Sequence, residues 1–448
     1  MKNVEDWSLA YEILRPIGWI IHRASHKHFN VYGLENVPRN EAVIFAPNHQ
    51  NALSDSLAIV LSSNFQPVFL GRADIFKKKL AARFLTFFKI SPVYRIRDGK
   101  ESLDKNQDVF DNSVRILASR KMLCIYPEAA HVGMKSMLVH KKAIPRIVFI
   151  AAGQSNYELD IKIVPVGINY SHYYCFRRNL TVRFGEPIST KNYYQILKEE
   201  GEPKATNILR NDLLNAIRTL VVNVDDKPAY DLYEQAFEMA RPLACEKIGL
   251  KCSEKYFSEA EQLITGEISD SLKDKPDEKV KLVEDSKQYK ELKEKLGFSE
   301  HVLNKGQIGF WEGLKILFVF LGLLPFALYG TLANGWLFYL TRYPYRKKLK
   351  DKQFFSTFSF GLSFFLFPLW TLLHFIILLI LFKNIVLALL LVLLSYPSGI
   401  LAWEIGQLIL RTFERLRYAK LKNIKNESFG RLLTLRAELN TFFNKILA

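Results

Sequence analysis

Short apolar runs recur between residues 29 and 184, each closed by a proline, a glycine or a polar corner. Residues 42–46, Ala-Val-Ile-Phe-Ala, stop at Pro47-Asn48. Residues 67–70, 91–95, 122–126, 161–166 and 180–184 repeat the pattern, and 29–32 precede it across a corner at 33–38. Such runs, bounded by turn residues, read as strands. Residues 53–62, 75–88 and 104–118 read as helices between them. Strands alternating with helices at this spacing predict an α/β fold, a largely parallel sheet flanked by helices.

The pattern changes on either side of this core. Residues 7–25 mix Trp7, Ile13, Ile17 and Trp19 with Arg15, His22 and Arg23. The stretch is too short and too charged to span a bilayer, so 1–24 is expected to be an amphipathic, membrane-associated helix, the alternative being a helix packed on its own domain. The sheet domain is expected over 25–202. Residues 203–307 turn polar and read as a helical linker or lid, with helices near 207–222 and 279–296. From 308 to 410 the chain is a membrane region. Residues 354–382 and 384–403 are long enough to span, with Lys383-Asn384 between them, and 311–339, interrupted at Pro325 and Gly330, is spanning or re-entrant. A basic helix is expected over 411–448.

Charge bears on how these segments are threaded. The connection 342–352 carries Arg342, Arg346, Lys347, Lys348, Lys350 and Lys352 against Asp351, and the tail after Arg411 is also basic. The positive-inside rule puts both on the cytosolic side. Two spans satisfy it if 311–339 dips in and returns or lies in the interface. The protein is then integral to a membrane, with its sheet domain facing the cytoplasm.

A net charge of +17 implies an anionic partner: nucleic acid, an anionic membrane surface or a phosphorylated substrate. No nucleic-acid reading motif is present, and a phospholipid membrane accounts for the charge. The basic segment 75–88 sets Lys77, Lys78, Lys79 and Arg83 among Phe76, Leu80, Phe84, Phe87 and Phe88, as a membrane-facing helix would. Cys124, Cys175, Cys245 and Cys252 form no CxxC pair and read as reduced thiols. Met1 to Asp6 does not open a secretory signal. His131 and His140 fit no zinc spacing with His49, so no metal site is expected.

Candidate chemistry gathers at strand ends, where α/β sheets carry their sites. His49 follows the 42–46 run, and Asp55 comes after five intervening residues. This pair can be a base and the carboxylate that orients it, or a loop histidine beside a helix cap. The first reading requires His49 in the turn and Asp55 in or at the start of the next helix, because positions six apart do not share a helix face. Arg95 and Arg97 follow another strand, and a guanidinium fork matches phosphate; the alternative is surface charge. Glu128, after Tyr126-Pro127, can bind the hydroxyls of a polyol or a cationic group, or sit in a solvated turn.

Taken in order, these residues resemble the four blocks of the glycerolipid acyltransferase family, which includes lysophosphatidic acid and glycerol-3-phosphate acyltransferases. The blocks are Pro47-Asn48-His49 through Asp55, then 90–95, then Tyr126-Pro127-Glu128, then Val164-Pro165-Val166. The lead-in at 31–38 resembles the family too, so the likeness spans roughly residues 25–190. Two departures stand out. The first block usually has four residues between His and Asp; the five here resemble a fungal-type glycerol-3-phosphate/dihydroxyacetone-phosphate subgroup. The third block usually continues with Gly, then Thr or Ser and a basic residue, where this chain has Ala129-Ala130-His131.

The resemblance implies that His49 deprotonates the acceptor hydroxyl and Asp55 holds the imidazole. Arg95 would grip the acceptor phosphate, with Arg97 beside it, and Glu128, with Pro127, would bind the glycerol part. The acyl donor would be acyl-CoA or acyl carrier protein as co-substrate, with no cofactor. The acceptor would be a phosphorylated glycerol or a lysolipid: 1-acylglycerol-3-phosphate or glycerol-3-phosphate, in phospholipid synthesis. The alternatives are an acyltransferase for another lysolipid and a non-enzymatic anionic-lipid-binding membrane protein. A hydrolase using the same pair lacks a GxSxG-type nucleophile turn.

Overall fold

The computed structural model describes residues 3–77, 79–93, 101–251 and 254–448. The chain divides into two compact units, Met1–Asp225 with Asp351–Thr357, and Asp226–Lys350 with Phe358–Ala448.

The first unit is the α/β domain. Its strands are β1 (His26–Tyr32), β2 (Ala42–Pro47), β3 (Val68–Arg72), β4 (Ile90–Val93), β5 (Met122–Cys124), β6 (Ile161–Tyr170), β7 (Arg178–Phe184) and β8 (Ile188–Ser189). Its helices are α1 (Leu9–Ser25), α2 (Leu53–Ser62), α3 (Lys79–Phe87), α4 (Glu101–Ala118), α5 (Ala143–Gln154), α6 (Tyr194–Glu200) and α7 (Glu202–Arg218). The sheet order is β1-β7-β6-β2-β5-β3-β4, with β8 beside β6. All pairings are parallel except β6 with β7 and β6 with β8.

β2 is central, and all six of its residues are buried. Successive side chains of a strand point to opposite faces. Ala42, Ile44 and Ala46 accordingly enter one core with residues of α4, α5 and α7, while Val43 and Phe45 enter the other with residues of α2. A strand covered on both faces needs an unbroken apolar run, and that is what the chain supplies.

Two placements emerge only in the structure. The corner at 33–38 does not make neighbours of the strands it joins. β1 lies at the sheet edge, paired in parallel with β7. Residues 203–218, expected in the polar linker, belong to the first unit, because Leu209, Leu213 and Ile217 recur at helical spacing and enter its core.

The second unit is helical. α8 (Tyr230–Met239), α9 (Arg241–Lys247), α10 (Phe257–Leu272), α11 (Pro276–Leu296), α12 (Glu300–Lys305) and α16 (Glu427–Leu447) form its polar part. Lys293 Nζ donates to Gln235 at 2.7 Å and to Glu238 at 2.6 Å, and Arg436 pairs with Glu300 at 2.9 Å. The apolar part is α13 (Phe310–Arg342), α14 (Phe354–Phe382, entered from the first unit) and α15 (Ile385–Asn423). Each is long and apolar enough to cross a membrane. Residues 311–339 lie within one continuous helix, and the helix expected at 384–403 runs on to Asn423. Tyr329 donates to the Leu391 carbonyl, Asn334 to Ser395 and Trp370 to Ala333, at 2.7, 2.8 and 2.8 Å. Arg415 grips both carboxylate oxygens of Glu312, and Tyr345 bonds Ser359.

Candidate active site

Because β2, β3, β4 and β5 run in one direction, their carboxyl ends lie on one edge of the sheet. The loop after β2 carries His49. Asn48 locks its start: its side chain accepts the Ile168 N–H at 2.7 Å and donates to the Ile168 carbonyl at 3.0 Å. The loop then turns into α2 through Ala52, held at φ 45°. Asp55 sits in the first turn of α2 and is completely buried.

His49 Nδ1 lies 2.8 Å from Asp55 Oδ2. The same oxygen accepts the backbone N–H groups of Gln50 and Asn51, each at 2.8 Å. Three donors on one carboxylate oxygen fix the imidazole and the loop together. With Asp55 accepting from Nδ1–H, the lone pair sits on Nε2, the tautomer a base needs. His49 keeps 15% of its side chain exposed, so the ring is open to a ligand while its partner is not.

The loop after β5 closes over this pair. Tyr126 stacks on the His49 ring with centroids 3.9 Å apart and planes at 22°, and its hydroxyl bonds Ser56 at 2.7 Å. Burial, then the neighbouring Cys124 and the Asp55 carboxylate, hold the Tyr126 hydroxyl well above its usual pKa, so it stays protonated. Glu128 is 1% exposed. Its Oε1 accepts the His49 backbone N–H at 3.0 Å and its Oε2 accepts the Leu138 N–H at 2.9 Å. Its carboxylate therefore ties the two loops to each other. Pro127 is buried, and its carbonyl accepts the Lys141 N–H at 2.7 Å. Ala129 follows at φ 56°, a left-handed conformation that favours glycine, the residue the family resemblance leads one to expect there.

His131 meets His49 edge to face, with centroids 5.2 Å apart. Its Nε2 lies 3.4 Å from Asp351 Oδ2, and its ring packs against Phe354. Asp351 and Phe354 belong to the 351–357 segment, which is bound into the first unit. Ser356 donates to the Tyr173 carbonyl at 2.9 Å, and the Leu53 N–H donates to Thr357 at 3.3 Å.

The structure thus brings together His49, Asp55, Glu128 and Pro127. Arg95 and Arg97 lie outside the described residues. No group of three or more His, Cys, Asp or Glu that could hold a metal ion occurs among the described residues. Sequence reading did not single out Tyr126 or Asp351 as partners of His49, and weighed His131 only as a metal ligand. For Tyr126 a signal existed, since it sits at a strand end beside Pro127-Glu128. The link from His131 to Asp351 crosses 220 positions, and nothing local announces it.

Residues 28–169 match the family model described as Acyltransferase, a span that holds His49, Asp55, Glu128 and His131. No curated protein matches the chain. Among solved structures it is similar to the 1-acyl-sn-glycerophosphate (LPA) acyltransferase PlsC from Thermotoga maritima. Identity is 15% and the TM-score 0.33, over 48% of this chain and 82% of that one.

Proposed function

We propose that this chain, a member of the acyltransferase family through its residues 28–169, is a membrane-bound O-acyltransferase. It moves a fatty acyl group from acyl-CoA or acyl carrier protein to a hydroxyl of glycerol-3-phosphate or 1-acylglycerol-3-phosphate. One observation carries the reading: the open His49 ring is held at 2.8 Å by the buried Asp55 on the carboxyl edge of the sheet.

Nε2 of His49 takes the proton of the acceptor hydroxyl as its oxygen attacks the thioester carbonyl. The tetrahedral intermediate collapses: the C–O bond stays, the C–S bond breaks, and the thiolate leaves with the proton returned by the imidazolium. The acceptor is itself the nucleophile, so no acyl-enzyme forms. Glu128 acts through the His49 backbone it holds. Arg95 and Arg97 are the proposed grips on the acceptor phosphate.

Contacts within the second unit support a topology. α14 and α15 are joined by Lys383-Asn384 alone, so two crossing helices must reverse there, leaving the start of α14 and the end of α15 on one side. Glu312, at the start of α13, is held by Arg415 near the end of α15. Tyr345, just past the end of α13, bonds Ser359 near the start of α14. Both ends of α13 on that same side require the 33-residue helix to bend sharply within the membrane, and Pro325 near its midpoint is the residue that would allow it. The basic connection 342–352 and the basic tail share the side too, which supports a cytoplasmic catalytic domain.

The test is to incubate the purified full-length protein with labelled acyl-CoA, or acyl carrier protein, and a panel of glycerol-3-phosphate, lysophosphatidic acid and other lysolipids. Acylated acceptor is expected, and His49→Ala should abolish it while the protein stays in membranes. Thioester hydrolysis without acceptor acylation, or activity untouched by His49→Ala, overturns the reading.

A further inference from the structure

A second histidine–carboxylate pair stands against the first. His131 touches the His49 ring edge to face at 5.2 Å, and its Nε2 lies 3.4 Å from Asp351. Phe354 also packs against it edge to face at 5.4 Å, so two rings hold it. If Nε2–H points at the Asp351 carboxylate, Nδ1 carries the free lone pair.

Burial, then the proximity of His49, lowers the pKa of His131, against the opposing pull of Asp351 and Asp55. It therefore stays neutral at pH 7, and the more so when His49 takes up a proton during turnover. A neutral imidazole with a free lone pair accepts a hydrogen bond; it is a poor grip for an anion. Beside the base that deprotonates one hydroxyl, it suits a second hydroxyl on the neighbouring carbon.

We propose that His131, oriented by Asp351, binds the non-reacting hydroxyl of a vicinal-diol acceptor. This makes a phosphorylated polyol with both hydroxyls free the preferred acceptor class, over one already acylated. The inference rests on the transferase reading above and narrows its acceptor. Asp351 is a positioning residue, acting through the His131 ring.

The test compares glycerol-3-phosphate with its two monodeoxy analogues, 2-hydroxypropyl phosphate and 3-hydroxypropyl phosphate, using the full-length protein and acyl-CoA. In the wild type, removing the non-reacting hydroxyl should lower kcat/KM about 10-fold, the worth of one hydrogen bond in a desolvated site. His131→Ala should lose a similar factor on glycerol-3-phosphate and show little further loss on the analogue, the non-additivity expected of two groups in contact. Asp351→Asn should give a smaller loss with the same coupling. General damage to the fold would lower activity on diol and analogue alike and leave the ratio unchanged, so an unchanged ratio overturns the proposal. A wild type that acylates no acceptor overturns the transferase reading and this inference with it. A wild type that acylates the diol and the analogue equally well overturns this inference alone.

Discussion

The loops after β2 and after β5 leave the same sheet edge and are built on opposite plans. The first presents a side chain: His49 stands open, and buried groups hold it from behind. The second presents support: Glu128 spends both oxygens on backbone N–H groups, and Tyr126 covers a ring face. The difference separates presenting a ring from holding it in place. Both loops carry a carboxylate, Asp55 and Glu128, and both carboxylates are buried. One orients an imidazole and the other orients the backbone that carries that imidazole.

Substitutions in the two loops should therefore fall on a graded scale. His49→Ala removes the proposed base and should lower the rate of acyl transfer by about 1,000-fold or more, toward the upper part of the range for general-base loss. Asp55→Asn should come close, because the orienting charge and the right tautomer go together. Glu128→Gln keeps the shape but exchanges an acceptor oxygen for an amide donor facing a backbone N–H. A loss of about 100-fold in kcat with KM nearly unchanged is expected, as for a misplaced reactive group. A change confined to KM would instead make Glu128 a substrate-binding group and break the comparison. Tyr126→Leu removes the stacked face and should cost about 10-fold in kcat, in line with about 1 kcal/mol for an aromatic pair.

Two smaller effects concern stability. His22 and His140 are buried and held neutral. The His22 pKa is lowered to about 3 by burial, then by Arg178 and Arg23; that of His140 to about 4 by burial, then by Arg210 and Arg218. The unfolded chain protonates these rings near an ordinary pKa of about 6.5, while the fold resists. Their contribution is thus full above that value and declines as pH falls toward 4. Urea midpoints measured from pH 7 to pH 4 should drop, and His140→Gln should flatten part of the slope, on the order of 2 kcal/mol. Ala129→Gly should stabilise by about 0.5–1 kcal/mol, since Ala129 occupies a left-handed conformation that costs an L-residue about 1–2 kcal/mol. A fall in melting temperature for that variant would mean the turn is not strained.

Much of the site was legible because its parts are local. His49 and Asp55 share one strand-to-helix turn, and Glu128 follows a strand whose apolar run is plain. Their resemblance to a family fixed the order in which to read them. The expected role of Glu128 is a contact with substrate; what the structure adds is a backbone N–H bond to each of its oxygens. Residue type and spacing cannot tell an open carboxylate from one already occupied.

By itself the sequence determined that strands alternate with helices, that 42–46 is a two-faced core strand, and that the far end of the chain is apolar enough for a membrane. Those properties follow from periodicity and length, which depend on neighbours along the chain. Only the tertiary structure moved β1 to the edge beside β7, brought residues 203–218 into the core, stacked Tyr126 on His49 and set Asp351 against His131. Such contacts join positions far apart in sequence, and their geometry depends on how the sheet packs rather than on any local pattern.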